Sequence, residues 1–417
     1  MFNTYDIFGG AAKATSRLFK GLRKIISIHI NYVVKYKSTD YSNVSLYNTK
    51  IMKRIYNKIC TGINNRVIKW TRSKNSCSAA FPFNTDIMPS FDKGFYKLDA
   101  DIVHLNWICN GHISLDMISK IKSPIIWTLH DSWAFTGGCH ITFDCTRYME
   151  GCGKCPQLSS ESLKDISYKL LKKKHKKLSD KDITIVTPSN WLADCARKSS
   201  LFRNRPIYVI PNGLDTEVFK PIQKSVAREV WGLPLDKKLI LFGAMNSVAD
   251  PNKGYKYLQA ALEKLNLEKW SDGIELVVFG ANNLFCDELS IYKTNVIGSI
   301  NDEQSLAVLY NACDVMIVPS ISESFGQTAV ESMACGTPVV AFRATGLLDI
   351  IDHKESGYLA KAYEPDDLAS GIRWVLEDEK RWRSLSNNSR KKVLENYNID
   401  VISQRYFNLY KKICEKT

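Results

Sequence analysis

Short apolar runs recur along this chain at residues 101–105, 124–129, 183–187, 207–210, 239–243, 274–280, 315–319 and 338–342. They are continuous rather than alternating, the pattern of parallel strands covered by helices on both faces. Between them lie amphipathic stretches with the helical period, for example 255–267 and 302–311. Strand–helix alternation of this kind predicts an α/β, doubly wound architecture. Pro206, then Pro211-Asn212-Gly213, then Pro221 punctuate residues 200–222 and mark a boundary. Each half is then about 200 residues, enough for one open sheet. Open sheets bind ligands outside the carboxyl ends of their strands, so two facing sheets would place a site in the cleft between them. Residues 40–90 are polar and irregular, and are expected to form helix plus loop.

Composition adds limits. With 45% hydrophobic and 24% charged residues the chain can build ordinary globular cores. No stretch approaches the roughly 20 apolar residues of a spanning helix. The nearest, 25–34, is interrupted by His29 and Asn31 and has no small-residue cleavage site after it. A soluble cytoplasmic protein is expected. The net charge of +14 is local: residues 7–39 hold seven basic side chains and no acidic one, and residues 164–181 hold eight lysines. Such clusters favour polyanions, with an anionic membrane surface or a phosphorylated substrate as the functional reading and a solvated helix face as the plain one. No nucleic-acid motif accompanies the charge, so nucleic acid is not an expected partner. Of twelve cysteines, eight are scattered, and several of these sit in apolar runs and read as small buried hydrophobes. No disulfide framework is expected without a secretory signal.

The most informative stretch begins with an apolar strand ending at Pro319-Ser320 and runs through Glu323-Ser324-Phe325-Gly326 to Glu331, Gly336 and Pro338. A helix is expected from about Phe325 to Gly336, its C-cap. A helix N-terminus at the end of a parallel strand offers N–H groups and a positive dipole end to a diphosphate or sugar hydroxyls. Gly326 lets a ligand approach the backbone. On helical geometry Glu323 and Glu331 would be roughly 12 Å apart along the axis, comparable to the span from a sugar ring to a ribose. After the strand 239–242, Gly243 and the later Lys253-Gly254 suit a diphosphate as a backbone cradle with a point charge. Gly280 follows another strand.

This stretch resembles the family 4 glycosyltransferases, whose signature is two glutamates separated by seven residues with Phe-Gly after the first. The resemblance implies the GT-B fold, two Rossmann-like parallel-sheet domains facing across a cleft, and a retaining transfer from a nucleoside-diphosphate sugar, UDP- or GDP-linked. It assigns Glu323 and the Phe325-Gly326 backbone to the donor sugar and Glu331 to the ribose. Residues 209–221 look like the family's interdomain segment. Many members place an arginine just after the strand 239–242; here Ala244-Met245-Asn246 stands there, so Lys253 is expected to carry the phosphate charge largely alone. The domains expected are 1–205 on the acceptor side, 206–390 for the donor, and a helical tail, 391–417, packing back on the first. No catalytic cofactor or metal is implied.

In the first half, His130 ends the strand 124–129, followed by Asp131 and Gly137-Gly138. The pair resembles one in the family's exopolysaccharide subgroup, colanic-acid-type enzymes among them, which implies a lipid-linked glycan acceptor, a capsule or O-antigen pathway, and a peripheral place on the inner face of the plasma membrane. Cys139, Cys145, Cys152 and Cys155 follow with spacings C-x5-C-x6-C-x2-C. Three readings stand: a closed structural zinc site, with His140 able to replace one ligand, buried free thiols, or a redox C-x-x-C. Near the start, Gly9-Gly10 opens a helical stretch, 13–22, as a close-approach turn for phosphate or acceptor. The family places a full hydrophobic strand before this turn. Met1 to Phe8 is short and polar, so the expectation is a truncated start or a first sheet lacking its central strand, with an inactive GT-B homologue acting as a nucleotide-binding or scaffold protein as the alternative function. A dinucleotide oxidoreductase or epimerase would need G-x-G-x-x-G after the first strand, which Gly9-Gly10 does not supply.

Overall fold

A computed structural model of the chain describes residues 1–47, 59, 62–63, 99–244, 247–267, 273–280 and 292–416. Most of the segment 40–90 therefore lies outside the described residues. The chain divides into two compact units, Met1–Pro211 with Ser403–Thr417, and Asn212–Ile402.

The first unit holds a seven-stranded sheet of β1 (Phe2–Tyr5), β2 (Tyr32–Tyr36), β3 (Val44–Leu46), β4 (Val103–Leu105), β5 (Ile125–Thr128), β6 (Ile183–Thr187) and β7 (Ile207–Val209). The order is β3-β2-β1-β4-β5-β6-β7, all parallel. The expectation of a missing first strand is thus corrected: Phe2–Tyr5 pairs with β2 on one side and β4 on the other. Its polar residues are not a penalty because their groups are spent locally. Asn3 Nδ2 donates to Tyr5 O at 2.6 Å, and Asn3 Oδ1 accepts from Trp107 N at 2.9 Å. Thr4 Oγ1 donates to the carbonyls of Trp107 and Cys109 at 3.0 and 2.9 Å. Buried polar atoms with partners cost little.

The second unit holds β8 (Lys238–Gly243), β9 (Ile274–Phe279), β10 (Thr294–Gly298), β11 (Val315–Val318), β12 (Val339–Phe342) and β13 (Gly357–Ala360), in the order β10-β9-β8-β11-β12-β13 and all parallel. Leu239 and Leu241 pack into the core on one face of this sheet, Ile240 and Phe242 into the core on the other. Burial on both faces is why the strands read as unbroken apolar runs.

The boundary falls between Pro211 and Asn212, and residues 391–402 belong with the second unit rather than with a separate tail. Backbone bonds explain it: Leu214 N donates to Tyr397 O at 2.8 Å and Ile399 N to Leu214 O at 2.9 Å. A Cβ on Gly213 would collide with Ile399. The last helix, Ile399–Cys414, starts among the residues of the second unit and ends among those of the first. There Tyr410 Oη meets His104 Nδ1 at 2.7 Å, Thr128 Oγ1 meets His104 Nε2 at 2.8 Å, and Tyr406 Oη meets Thr128 Oγ1 at 3.0 Å. Among the described residues, no helix is long and apolar enough to cross a membrane.

Candidate active site

Both sheets reverse their strand order once, between β1 and β4 in the first unit and between β8 and β11 in the second. Ligand crevices open at such points. In the second unit the β8 loop carries Lys253 and the β11 loop carries Glu323. Lys253 Nζ donates to Glu323 Oε1 at 2.8 Å, with the two side chains 22% and 17% exposed. Burial alone would lower the Lys253 ammonium, but Glu323 and Asp250 more than offset it, and its pKa lies above the usual lysine value. Lys253 is therefore charged and already paired, not a solitary cation awaiting phosphate.

The two loops are stitched together through Asn252. Asn252 Nδ2 donates to Ser322 O at 2.8 Å, Asn252 Oδ1 accepts from Ser322 N at 3.1 Å, and Asn252 O accepts from Ile321 N at 2.8 Å. Gly254, at φ 73°, packs so close to Pro319 O that any Cβ would collide with it. On the other side, Glu323 N donates to Thr345 Oγ1 at 3.0 Å and Gly346 N to Glu323 O at 2.9 Å. Thr345 sits at φ 51°, a left-handed conformation that a β-branched residue seldom adopts. Asn252, Thr345 and Gly346 escape a motif reading; the only signal for them is their position in turns after β8 and β12.

The helix starts at Gln327 and ends at Ala334, with Gly326 as N-cap at φ 107°. Glu323 is thus in the loop, and the helical spacing expected between Glu323 and Glu331 does not apply. Phe325 is buried against Tyr397, ring centroids 5.6 Å apart, so its backbone alone is available to a ligand. Glu331 is 3% exposed, and its Oε2 accepts from Tyr310 Oη at 3.0 Å. Gly243 ends β8, where a Cβ would collide with the Phe279 ring. Gly280 follows β9 at φ 77°, its N–H on Gly298 O at 2.7 Å. Met245 and Asn246 lie outside the described residues.

In the first unit Gly9, at φ 88°, caps the helix Gly10–Leu22 directly after β1. His130 lies two residues past the end of β5, and its Nε2 meets Asn106 Oδ1 at 3.2 Å. Asn106 Nδ2 reaches Phe2 O, so the amide oxygen faces the imidazole and Nε2 is the protonated nitrogen. Burial pushes the His130 pKa down to about 4 against the opposing pull of Asp131. His130 is a neutral imidazole whose Nδ1 can accept a hydrogen bond. Asp131 faces its own loop instead: it binds His140 Nδ1 at 2.5 Å, Trp107 Nε1 at 2.7 Å and Trp133 N at 2.8 Å. His140 Nδ1 is thereby committed to Asp131, and His140 is not among the residues that line the cavity of the four cysteines.

Cys139, Cys145, Cys152 and Cys155 line one small cavity and are free thiols. Among the described residues no group of three or more His, Cys, Asp or Glu is arranged to hold a metal ion. The basic stretch 164–181 forms the helix Ile166–Leu178, capped by Asp165. It is not wholly a solvated face, because Lys174 is fully buried.

Two family models match the chain, that of the glycosyl transferases group 1 over residues 223–392 and that of glycosyltransferase family 4 over residues 65–218. An uncharacterised glycosyltransferase of Methanocaldococcus jannaschii is 35% identical over 200 residues, 46% of this chain and 50% of that protein. The chain spans about half or less of the length of most of the curated relatives it matches. It covers more of the D-inositol 3-phosphate glycosyltransferase of Thermobispora bispora, 31% identical over 320 residues, 71% of this chain and 69% of the relative. Among solved structures, sucrose-phosphate synthase from Thermosynechococcus elongatus superposes with TM-score 0.71 at 19% identity over 99% of this chain and 96% of that one. Anabaena HepE, in complex with UDP and glucose, gives TM-score 0.66 at 16% identity over 98% of both chains. Two doubly wound parallel sheets, the Glu323–Glu331 motif in place at the switch point of the second, and these matches together make the chain a member of the GT-B family 4 glycosyltransferases.

Proposed function

We propose that this chain transfers a glycosyl group from a nucleoside-diphosphate sugar to a hydroxyl of a glycan acceptor, retaining the anomeric configuration. The observation that carries the reading is the Lys253–Glu323 pair beside Gly326 at the switch point of the second sheet. It offers a cation for the diphosphate and a carboxylate for sugar hydroxyls in one place. An arriving diphosphate competes with Glu323 for the Lys253 ammonium, and the first turn of the helix Gln327–Ala334 presents its positive end. Glu323 then accepts hydrogen bonds from the sugar hydroxyls, and Glu331 from the ribose. In a front-face reaction the bond from anomeric carbon to diphosphate oxygen breaks while the bond to the acceptor oxygen forms on the same face. The departing diphosphate takes the acceptor's proton, and Lys253 stabilises the charge that develops on it. His130 accepts a hydrogen bond from an acceptor hydroxyl through Nδ1. Because Lys253 and the helix end supply the positive charge, turnover is expected to persist through a brief exposure to EDTA.

The acceptor in this reading is a lipid-linked glycan of a surface polysaccharide pathway, supported by the His130-Asp131 resemblance. The exposed Lys164, Lys169, Lys172 and Lys176 would favour an anionic membrane. UDP is the first donor nucleotide to try, because HepE shares the fold and was solved with UDP. The test is a thermal-shift panel with UDP, GDP, ADP and NAD on wild type, Lys253→Ala and Glu331→Gln. One nucleoside diphosphate, at a hundred times its Kd, should stabilise wild type by about 2.7 kcal/mol, and Lys253→Ala should lose most of that shift. Binding of NAD alone, or of none of the four, overturns the reading.

A further inference from the structure

Cys139, Cys145, Cys152 and Cys155 take no part in the donor chemistry, yet all four line the same cavity of the first unit. The chain around them is built to hold that convergence. Cys152, Gly153 and Lys154 run at φ 55°, 98° and 42°, so the C-x-x-C folds as a tight left-handed knuckle. Both parts of it are pinned to the start of the helix Ile166–Leu178: Gly153 N donates to Ser167 Oγ at 3.0 Å and Cys155 N to Asp165 Oδ2 at 2.8 Å. Cys155 also stands at the N-terminal end of the 3-10 turn Pro156–Leu158, on the side of its N–H groups.

A second observation comes from Lys174, on the same helix. Its side chain is fully buried, its Nζ donates to the carbonyls of Trp133 and Thr136, and it lies 3.9 Å from the centroid of the Trp133 ring. Among the described residues, no carboxylate lies within ion-pair distance of it. Cys109, Cys139, Cys152 and the Asp131 carboxylate are close enough to act on it electrostatically. A buried ammonium calls for a nearby anion. Asp131 supplies one at longer range; four thiolates around a divalent cation, with a net charge of about −2, add a second beside it.

We propose that Cys139, Cys145, Cys152 and Cys155 bind one structural zinc ion as thiolates, with Lys174 as the buried counter-charge. Binding draws the four sulfurs to about 2.3 Å from the metal and releases their protons. Four protein ligands leave no open position, so the ion staples the loop after β5 that follows His130 and takes no part in sugar transfer.

The experiment is metal analysis of wild-type protein purified without chelator from zinc-supplemented cells, using plasma mass spectrometry. About one zinc per chain is expected. Titration of the folded protein with a mercurial should release it to a colorimetric chelator once about four thiols have reacted. The double variant C152S/C155S should retain less than a tenth of the wild-type zinc. Metal-free protein whose four thiols are free or paired as disulfides overturns the proposal, as does iron in place of zinc. Metal content is read on wild type and needs no nucleotide, so this proposal and the glycosyltransfer reading can fail separately.

Discussion

Lys253 and Glu323 are each other's counter-charge, and the proposed competition of a diphosphate for Lys253 makes the two side chains separable by experiment. Glu323→Gln keeps the loop bonds made by the Glu323 backbone and removes only the negative charge. Nucleotide affinity should be kept while turnover falls by about 100- to 1,000-fold, the scale of losing a preorganised polar contact in the transition state. Calorimetric nucleotide titration and initial rates read the two effects apart; loss of nucleotide binding in Glu323→Gln would move Glu323 from the sugar to the diphosphate. At Gly254 the constraint is steric. An alanine there meets Pro319 O from a left-handed backbone, and Gly254→Ala should cost about 2–4 kcal/mol in urea unfolding. An unchanged midpoint would mean that the two loops are less tightly joined than their bonds imply. Glu323, Gly326, Glu331 and Lys253 stand out in the sequence as candidates because their residue types suit the chemistry of a nucleotide sugar. Thr345 does not, since its part is a hydroxyl offered to a backbone N–H and a left-handed φ, and neither leaves a mark in composition.

The elements carry the pH dependence. His104 and His112 are fully buried in the first unit, and burial holds His104 well below its ordinary value and His112 at about 3. In the unfolded chain both titrate near 6.5. The unfolded state therefore takes up protons that the folded state refuses. Stability is fully present above about pH 6.5 and is lost as pH falls below it, by on the order of 1.4 kcal/mol per pH unit for each histidine. The first unit should accordingly weaken from about pH 6.5 downward, with the span from about 6.5 to about 5.5 lying above the range where most carboxylates titrate. Urea midpoints across that range check it, and a flat profile would show that these histidines ionise within the fold. At this scale β1 and the edge strands were the hard reading. Asn3 and Thr4 look unsuited to a central strand until their partners on Trp107 and Cys109 are known. Thr294–Gly298 is a partly exposed edge strand without a continuous apolar run.

For the whole chain, Ser403–Thr417 belongs to the first unit although it is last in sequence. A chain ending at Ile402 would lose Tyr406 and Tyr410, leaving His104 Nδ1 without its hydroxyl and the apolar surface beneath both rings exposed. The first unit should be destabilised by at least about 3 kcal/mol, the sum of an orphaned buried polar atom and a lost aromatic packing contact. Differential scanning calorimetry should show its transition lowered while that of Asn212–Ile402 changes little. An unshifted first transition would mean the tail contributes no stability to that unit.

Periodicity, which is local, was enough to establish two parallel α/β sheets, because burial on both faces forces unbroken apolar strands; motif chemistry, also local, singled out the glycine, lysine and glutamate positions proposed for the donor. What only the tertiary structure decided is long-range. It pairs Lys253 with Glu323 across 70 residues, and it spends the polar atoms of β1 on residues about 100 positions away. It also gathers four cysteines into one cavity beside a buried lysine. Hydrogen bonds and charges between distant residues depend on which turns meet, and that is set by how the strands stack rather than by any run of neighbouring side chains.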